Sequence, residues 1–213
     1  TGVIGPRRAD LGRVIMKERI ITGDACVAEG AQWLATIEPR FADVLPALSP
    51  LPLRLKDDGF GVLLHVILGQ QVSVASAAAV WAKLQAADLH TEAAMAATTP
   101  EILREHGVSR QKARYAIGLA QARIDYAGLR AMDNTTVIKT LCAVPGIGPW
   151  TAEVYAMFSL GRADVFAPGD LAMQEAAKVM FALPARPSAR ELAVMAERWS
   201  PWRSVAARIF WAY

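Results

Sequence analysis

The sequence of 213 residues has only two cysteines and three histidines, which limits the metal chemistry open to it. An iron–sulfur cluster held entirely by cysteine needs four thiolates, so Cys26 and Cys142 cannot supply one. The three histidines lack the close ligand spacing of a catalytic zinc site. We therefore expect no required cofactor and no iron–sulfur cluster. The cysteine usage indicates an intracellular protein, in the cytoplasm or nucleoid of a bacterium or the nucleus of a eukaryote.

Long apolar runs and a strong excess of charge are also missing. No apolar run reaches the roughly 18 residues that a membrane-spanning helix needs, so we expect no membrane partner. The net charge of +3 permits a nucleic-acid partner without requiring one. Hydrophobic residues make up 54% of the chain, enough for a sizeable core in one domain or two small lobes. A monomer is the default expectation.

Apolar residues recur at three- and four-residue spacing along most of the chain, which predicts helices. Residues that favour helix N-termini stand where this pattern restarts, at Ser73, Thr99, Ser109 and Ser188. The prolines within residues 39–52 predict a linker-like stretch, and residues 110–127 predict one long helix. The fold class predicted from these patterns is all-α with short loops.

The most informative segment is residues 141–152, Leu-Cys-Ala-Val-Pro-Gly-Ile-Gly-Pro-Trp-Thr-Ala. Two predicted helices flank a tight turn that contains Gly146 and Gly148. Glycine tolerates positive φ, and a turn of this kind exposes backbone amides beside the start of a helix. That arrangement suits a phosphate group. An ordinary helix–helix turn is the alternative that these residues leave open.

Four segments in this order resemble the helix-hairpin-helix superfamily of DNA glycosylases, in its 3-methyladenine DNA glycosylase II branch. Residues 141–152 resemble the hairpin, and residues 164–171, Asp-Val-Phe-Ala-Pro-Gly-Asp-Leu, resemble the segment that bears the catalytic aspartate. Residues 67–73, Ile-Leu-Gly-Gln-Gln-Val-Ser, resemble the loop that breaks a helix. Pro-Trp-Arg-Ser from residue 201, with Ile-Phe-Trp from residue 209, resembles the C-terminal helix. The likeness extends over about residues 59–213.

The resemblance implies two small helical lobes with an active-site cleft between them. Residues 1–58 would be an N-terminal helical segment packed on the second lobe, as in compact members without an N-terminal mixed-sheet domain. Residues 59–160 would form the core lobe that ends in the hairpin. Residues 161–213 would carry the catalytic segment and the C-terminal helices that complete the cleft.

The implied activity is that of a monofunctional DNA N-glycosylase that flips an alkylated, cationic purine out of duplex DNA and hydrolyses its N-glycosidic bond. Asp170 matches the catalytic carboxylate, which stabilises an oxocarbenium-like sugar and orients or deprotonates water. A helix N-cap is the alternative role for Asp170. Bifunctional relatives carry a nucleophilic lysine where Trp150 stands, so we expect no strand cleavage. Some relatives have a second acid where Gly169 stands.

Aromatic residues are implied for the base pocket, at Trp150, Tyr155 and Trp211. An electron-rich aromatic face attracts a cationic base, which would favour alkylated purines over neutral ones. Gln70 and Gln71 match the loop that enters the duplex, with Gln71 at the wedge position. Some relatives have leucine there, and glutamine could instead bond the orphaned base. His65 is interpreted as a packed helix residue.

The grip on the DNA backbone is assigned by resemblance to Gly146, Gly148 and Thr151. Relatives hold a monovalent cation between the hairpin and the DNA. The matching positions are the carbonyls of Cys142 and Val144 and the hydroxyl of Thr151, so a structural Na⁺ or K⁺ is expected there. The implied partner is double-stranded DNA that contains alkylated bases.

Two other functions are compatible with these residues. One is a glycosylase for mismatched adenine, oxidised guanine or oxidised pyrimidine, against which the missing cysteine cluster and lysine count. The other is a helix-hairpin-helix module that binds DNA without catalysis and needs no acid at Asp170. The sequence also leaves open which base is preferred among 3-methyladenine, 7-methylguanine, 1-methyladenine, hypoxanthine and ethenoadenine.

Overall fold

The computed structural model describes residues 18–213, and these residues fold mostly into helices, as predicted. Pairing of extended backbone is limited, within this range, to one antiparallel bridge between Ile20 and Arg162. The helices are α1 (Asp24–Ile37), α2 (Pro39–Leu48), α3 (Phe60–Gly69), α4 (Val74–Ala86), α5 (Glu92–Ala97), α6 (Pro100–Glu105), α7 (Arg110–Gln121), α8 (Tyr126–Leu129), α9 (Asn134–Cys142), α10 (Pro149–Phe158), α11 (Leu171–Met180), α12 (Ala189–Ala196), a 3₁₀ turn (Glu197–Trp199) and α13 (Arg203–Ala212).

The predicted N-caps form at all four positions. The side chains of Ser73, Thr99, Ser109 and Ser188 each accept a hydrogen bond from the amide three residues further along. At α12 this is a complete capping box, because the Glu191 carboxylate also accepts from the Ser188 amide at 2.7 Å. Each cap satisfies an amide that has no acceptor inside its helix, so local sequence determines where these helices begin.

The linker predicted for residues 39–52 is wrong over most of its length, because residues 39–48 form α2. Pro39 occupies the first turn, where its missing N–H costs nothing. Pro46 lies inside the helix and leaves one carbonyl without its usual donor. Phe41 and Leu45 are buried on one face, and their burial outweighs this local disadvantage.

The long helix predicted over residues 110–127 is also wrong at its C-terminal end. Helix α7 stops at Gln121, and Arg123 adopts a left-handed φ of 47° that no α-helix continues. Asp125 then caps the separate short helix α8 by accepting from the Gly128 amide at 2.9 Å. Apolar spacing continues across this break, so periodicity alone does not show it.

Two groups of helices carry the core. In one, α3 packs on α4 and α7, and α7 also packs on α5 and α6. In the other, α13 packs on α1, α2 and α11, around an aromatic cluster that includes Phe41, Phe166, Trp199 and Phe210. The pair α9 and α10 forms the hairpin. Residues 1–17 of the predicted N-terminal segment lie outside the described residues.

No helix within residues 18–213 combines the length and apolar character needed to cross a membrane.

Candidate active site

Asp170 and Trp150 meet although 20 residues separate them. The Trp150 indole Nε1 donates to Asp170 Oδ2 at 2.8 Å, and the Met173 amide donates to Oδ1 at 3.0 Å. The second bond makes Asp170 the N-cap of α11, so the alternative role as a cap is real and coexists with any catalytic one. Trp150 is 44% exposed, which is unusual for an indole in a helix. Two donors therefore fix the orientation of a carboxylate beside an open aromatic surface.

The hairpin has the backbone geometry expected of a phosphate-binding turn. Gly146 has a φ of 92°, and a Cβ there would stand 2.5 Å from Cγ of Tyr115, so this position requires glycine. Gly148 is the N-cap of α10 and makes no side-chain cap. The amides of the first turn of α10 have no acceptor within the helix. They are available to an anion at the positive end of the helix dipole.

The loop after α3 is tied to this hairpin. Gln70 Nε2 donates to the Gly146 carbonyl at 2.9 Å, which favours a positioning role for Gln70 rather than the predicted DNA contact. Gln71 is exposed and has a left-handed φ of 56°. Lys112 Nζ donates to the Leu68 carbonyl at 2.7 Å at the end of α3, and burial lowers the pKa of Lys112. No sequence pattern indicates this contact of Lys112.

The residues expected to hold a monovalent cation fit it unequally. Cys142 ends α9, so its carbonyl lies beyond the helical ladder and can accept another ligand. The Val144 carbonyl accepts from the Ile147 amide at 3.1 Å and keeps one lone pair. Thr151 is 7% exposed in the first turn of α10, a poorer position for a ligand shared with DNA. Two carbonyl oxygens nevertheless suit a hard cation.

Tyr155 lies inside the protein, with only 3% of its surface exposed. Its hydroxyl donates to the Asp58 carboxylate and accepts from the Gly59 amide at 3.0 Å. Burial, together with Asp58, raises the pKa of Tyr155. Arg130 completes the group by an ion pair with Asp58 at 2.7 Å. These contacts favour a structural role for Tyr155 over its predicted role in a base pocket.

An open cavity of about 740 Å³ lies beside this group. Its wall includes Asp58, the outer face of α3 and Trp81 of α4. His65 is exposed in this cavity and meets the Trp81 ring edge to face, with centroids 5.2 Å apart. The interpretation of His65 as a packed residue was therefore wrong. The spacing of Gly61 and His65, four residues apart on a helix, was the signal for a shared open face.

Trp211 lies toward the other end of α10 from Trp150. It contacts Phe158, the last residue of α10, with ring centroids 5.6 Å apart. Phe158 lies eight positions after Trp150, which is a rise of roughly 12 Å along a helix. The Arg54 guanidinium lies 5.6 Å from the centroid of the Trp211 ring. The structure thus brings Trp150 to Asp170 directly, whereas Trp211 is connected to them through α10.

Asp164 holds the segment that leads to Asp170. Arg203 donates to both of its carboxylate oxygens, at 2.6 and 2.9 Å, and the Ser200 hydroxyl donates at 2.7 Å. This pairing raises the pKa of Arg203. The Ser204 amide also donates to the Ala163 carbonyl at 2.8 Å. The C-terminal helix α13 is therefore anchored to the chain six residues before the candidate catalytic carboxylate.

A family model described as the HhH-GPD superfamily base excision DNA repair protein matches residues 64–204. The chain belongs to this superfamily. The match includes the Gln70 loop, the hairpin, Asp170 and the Asp164–Arg203 pair, whereas Arg54, Asp58 and Trp211 lie outside it. The resemblance inferred from four short segments is confirmed.

Individual members of the HhH-GPD superfamily share both sequence and fold with this chain. DNA-3-methyladenine glycosylase 2 of Escherichia coli is 34% identical over 172 residues, which is 72% of this chain and 57% of that protein. The crystal structure of a DNA-3-methyladenine glycosidase from Bacillus halodurans gives a TM-score of 0.75 at 29% identity, covering 91% of both chains. Schizosaccharomyces pombe Mag1, in complex with abasic DNA, gives 0.72 at 23% identity over 86% of this chain and 95% of that one, which shows the fold.

The curated HhH-GPD relatives are longer than the segments that match. The chain spans between 14% and 57% of their lengths. The shared fold confirms the predicted helical architecture with two lobes.

Proposed function

We propose that this chain is a monofunctional DNA N-glycosylase that removes alkylated, cationic purines from double-stranded DNA without cutting the strand. The single observation that carries the proposal is the Asp170 carboxylate, oriented by Trp150 and by the start of α11 next to an exposed indole. The names of the Escherichia coli and Bacillus halodurans relatives, both DNA-3-methyladenine enzymes, support the same substrate class.

Asp170 would act on the sugar of the extruded nucleotide. When a cationic purine leaves, the electron pair of the glycosidic bond goes with it. The base becomes neutral, and positive charge develops on the sugar ring. A carboxylate stabilises that charge, and an oxygen lone pair left free by Trp150 and Met173 can orient the attacking water. The departing base is already activated by its charge, so the reaction does not depend on a strong general acid.

Trp150 would serve both the carboxylate and the base. Its Nε1 is occupied by Asp170, which leaves the ring face to contact the base. Aromatic contact with a cation contributes about 0.5–2 kcal/mol. Trp211 would provide a second aromatic surface at the far end of the cleft.

The DNA backbone would be bound at the hairpin. We propose that a phosphate contacts the amides near Gly146 and Gly148, and that Gln71 enters the space left by the extruded base. The carbonyls of Cys142 and Val144, with Thr151 as a weaker candidate, would hold Na⁺ or K⁺, which supplies positive charge toward the phosphate. No iron–sulfur cluster is part of this proposal.

We extend the proposal to the organisation of the chain. Residues 59–160 would form the hairpin lobe, residues 161–213 would complete the cleft, and residues 1–58 would pack on that second part. Within the described residues, α1 and α2 do pack on α13. The protein would act as a monomer on genomic DNA, inside the cell.

A base-release assay tests the activity. Wild-type protein incubated with methylated duplex DNA should release free alkylated bases, and Asp170→Asn should bind the same DNA without releasing them. Asparagine keeps an oxygen for the Met173 amide, so the N-cap survives while the charge is lost. The attraction between the Asp170 carboxylate and a sugar charge about 4 Å away, at an effective dielectric of about 20, is about 4 kcal/mol. Its loss would lower the rate of base release roughly a thousandfold.

Two outcomes would contradict this proposal. Equal base release by wild type and Asp170→Asn would remove Asp170 from the reaction. A covalent adduct with DNA after borohydride treatment would show a Schiff base, and thus a strand-cleaving enzyme with an amine nucleophile.

A further inference from the structure

The indole of Trp211 already faces a positive charge from its own chain. The guanidinium carbon of Arg54 lies 5.6 Å from the ring centroid, within the range of a cation–π contact. Arg54 is exposed, so its guanidinium can move away from the ring when another group binds there. A cationic base that approached the same ring would meet a position that a cation already occupies.

The backbone fixes Arg54 in place. Arg54 has a φ of 57°, a left-handed conformation that residues other than glycine adopt only when their surroundings impose it. On one side, the Leu53 carbonyl accepts from Nε and Nη2 of Arg208, at 3.2 and 2.7 Å. On the other, the Lys56 amide donates to the Phe158 carbonyl at 2.9 Å. The loop that carries Arg54 is therefore fastened to the helices that carry Phe158 and Trp211.

A second positive charge lies next to Phe158, the residue whose ring contacts Trp211. Arg208 is fully buried, and its guanidinium carbon lies 4.9 Å from the centroid of the Phe158 ring. Among the described residues no carboxylate pairs with it, since Leu53 and Ser204 supply its acceptors. Burial, and then the charge of Arg54, lower the pKa of Arg208 to about 10, so it stays protonated at neutral pH. Both charges act against a further cation at Trp211.

We propose that Arg54 is a specificity-determining residue that disfavours cationic bases at Trp211 relative to neutral damaged bases that carry a carbonyl oxygen. The inference rests on the proposed function, because it takes Trp211 as part of the base site. A cationic purine such as 7-methylguanine must displace the guanidinium. A neutral oxopurine such as hypoxanthine has the same carbonyl oxygen as 7-methylguanine but no positive charge, so it can bind beside the guanidinium and accept a hydrogen bond from it without repulsion.

Binding without cleavage gives the test. In the Asp170→Asn background, the dissociation constants of duplexes with one 7-methylguanine or one hypoxanthine are measured by fluorescence anisotropy. Adding Arg54→Ala should shift their ratio toward 7-methylguanine by about 2- to 30-fold, the range of one cation–π contact. Alanine stays a non-glycine residue at this left-handed position, so the backbone preference is preserved. Arg54→Lys, which keeps the charge, should shift the ratio less.

Two controls isolate the contact. Arg123 is also exposed and left-handed, with a φ of 47°, and no aromatic ring of the described residues lies under its guanidinium. Arg123→Ala should therefore leave the ratio unchanged. In a Trp211→Ala background, Arg54→Ala should lose its effect on the ratio, since the shared ring is gone.

Several results would overturn the inference. They are an unchanged ratio in Arg54→Ala, a shift toward hypoxanthine, or an equal loss of affinity for both lesions and for undamaged duplex. The last result would assign Arg54 to a phosphate. If wild type releases no base at all, the proposed function fails, yet the binding ratio still decides the role of Arg54 because no step of this measurement needs cleavage.

Discussion

Replacing Tyr155 with phenylalanine should destabilise the protein far more than the loss of one oxygen suggests. The hydroxyl makes two hydrogen bonds, one to the Asp58 carboxylate and one from the Gly59 amide. A hydrogen bond to a charged group contributes about 1.5–3 kcal/mol, and a neutral one about 0.5–1.5 kcal/mol. The Asp58 side chain is 22% exposed, so water can replace part of the lost contact. We therefore expect a loss of about 2 kcal/mol in the free energy of unfolding.

The measurement is equilibrium unfolding in urea, supported by thermal melting. For a chain of this size, 1 kcal/mol shifts the melting temperature by about 2–4 °C, so Tyr155→Phe should melt roughly 4–8 °C lower. Tyr115→Phe is the matched control. The Tyr115 hydroxyl accepts from Gln111 at 2.7 Å within the exposed surface of α7, and its removal should cost less than about 0.5 kcal/mol.

Equal losses of stability in the two variants, or a Tyr155→Phe protein as stable as wild type, would show that the Tyr155 hydroxyl does not stabilise the fold in this way. A variant of normal stability with altered selectivity among damaged bases would instead restore Tyr155 to the base pocket. Asp58→Asn provides a further check, because it keeps an acceptor for the hydroxyl while it weakens the ion pair with Arg130. It should fall between wild type and Tyr155→Phe.

Two other predictions follow from single residues. Gly146→Ala, with a Cβ 2.5 Å from Cγ of Tyr115 and a φ of 92°, should lower the free energy of unfolding by about 1–3 kcal/mol in urea titrations. Gly148→Ala has no atom within 4 Å of its Cβ and should cost only about 0.5–1 kcal/mol, through the poorer N-cap, so equal effects would contradict the geometry. Burial raises the pKa of Glu153 from 4.5 to about 7, so the folded protein holds an extra proton in this window and the free energy of unfolding should fall as pH rises through it. In urea titrations across this pH range, the free energy of unfolding of Glu153→Gln should change less with pH than that of wild type. An unchanged slope would assign the pH dependence to other groups.

Short-range sequence signals predicted most of the helical order. Caps such as Ser73 and Ser188 act within three residues, so a local pattern contains all the information they need. Helix α2 was missed because Pro39 and Pro46 look like breaks. Burial of Phe41 and Leu45 offsets the hydrogen bond that is lost at Pro46, and this burial depends on helices far along the chain.

The sequence predicted residues for the candidate site, but it did not predict the contacts between them. Asp170 and Trp150 were both chosen from the sequence, whereas the bond between them depends on the angle between α10 and α11. Tyr155 was assigned to a pocket because aromatic residues suit one. Its partner Asp58 is 97 residues away, and no local pattern connects them. His65 shows a different case, because its spacing of four residues from Gly61 places both on one face of α3, but only the packing of the neighbouring elements leaves that face open.

The loop over residues 53–58 has more anchors than a surface connection requires. The buried Arg208 side chain donates to the Leu53 carbonyl, and the Lys56 amide donates to the Phe158 carbonyl. The Tyr155 hydroxyl donates to the Asp58 carboxylate. An unpaired buried guanidinium is unfavourable for folding, because a charge loses its hydration when it leaves water. Arg208 also donates to Ser204 and lies over the Phe158 ring, so this one guanidinium connects the loop to both α10 and α13. The Leu53 and Lys56 anchors place Arg54 on Trp211, so weakening either should affect base selection as well as stability, whereas the Tyr155–Asp58 bond fixes the rim of the cavity and its loss should affect stability alone.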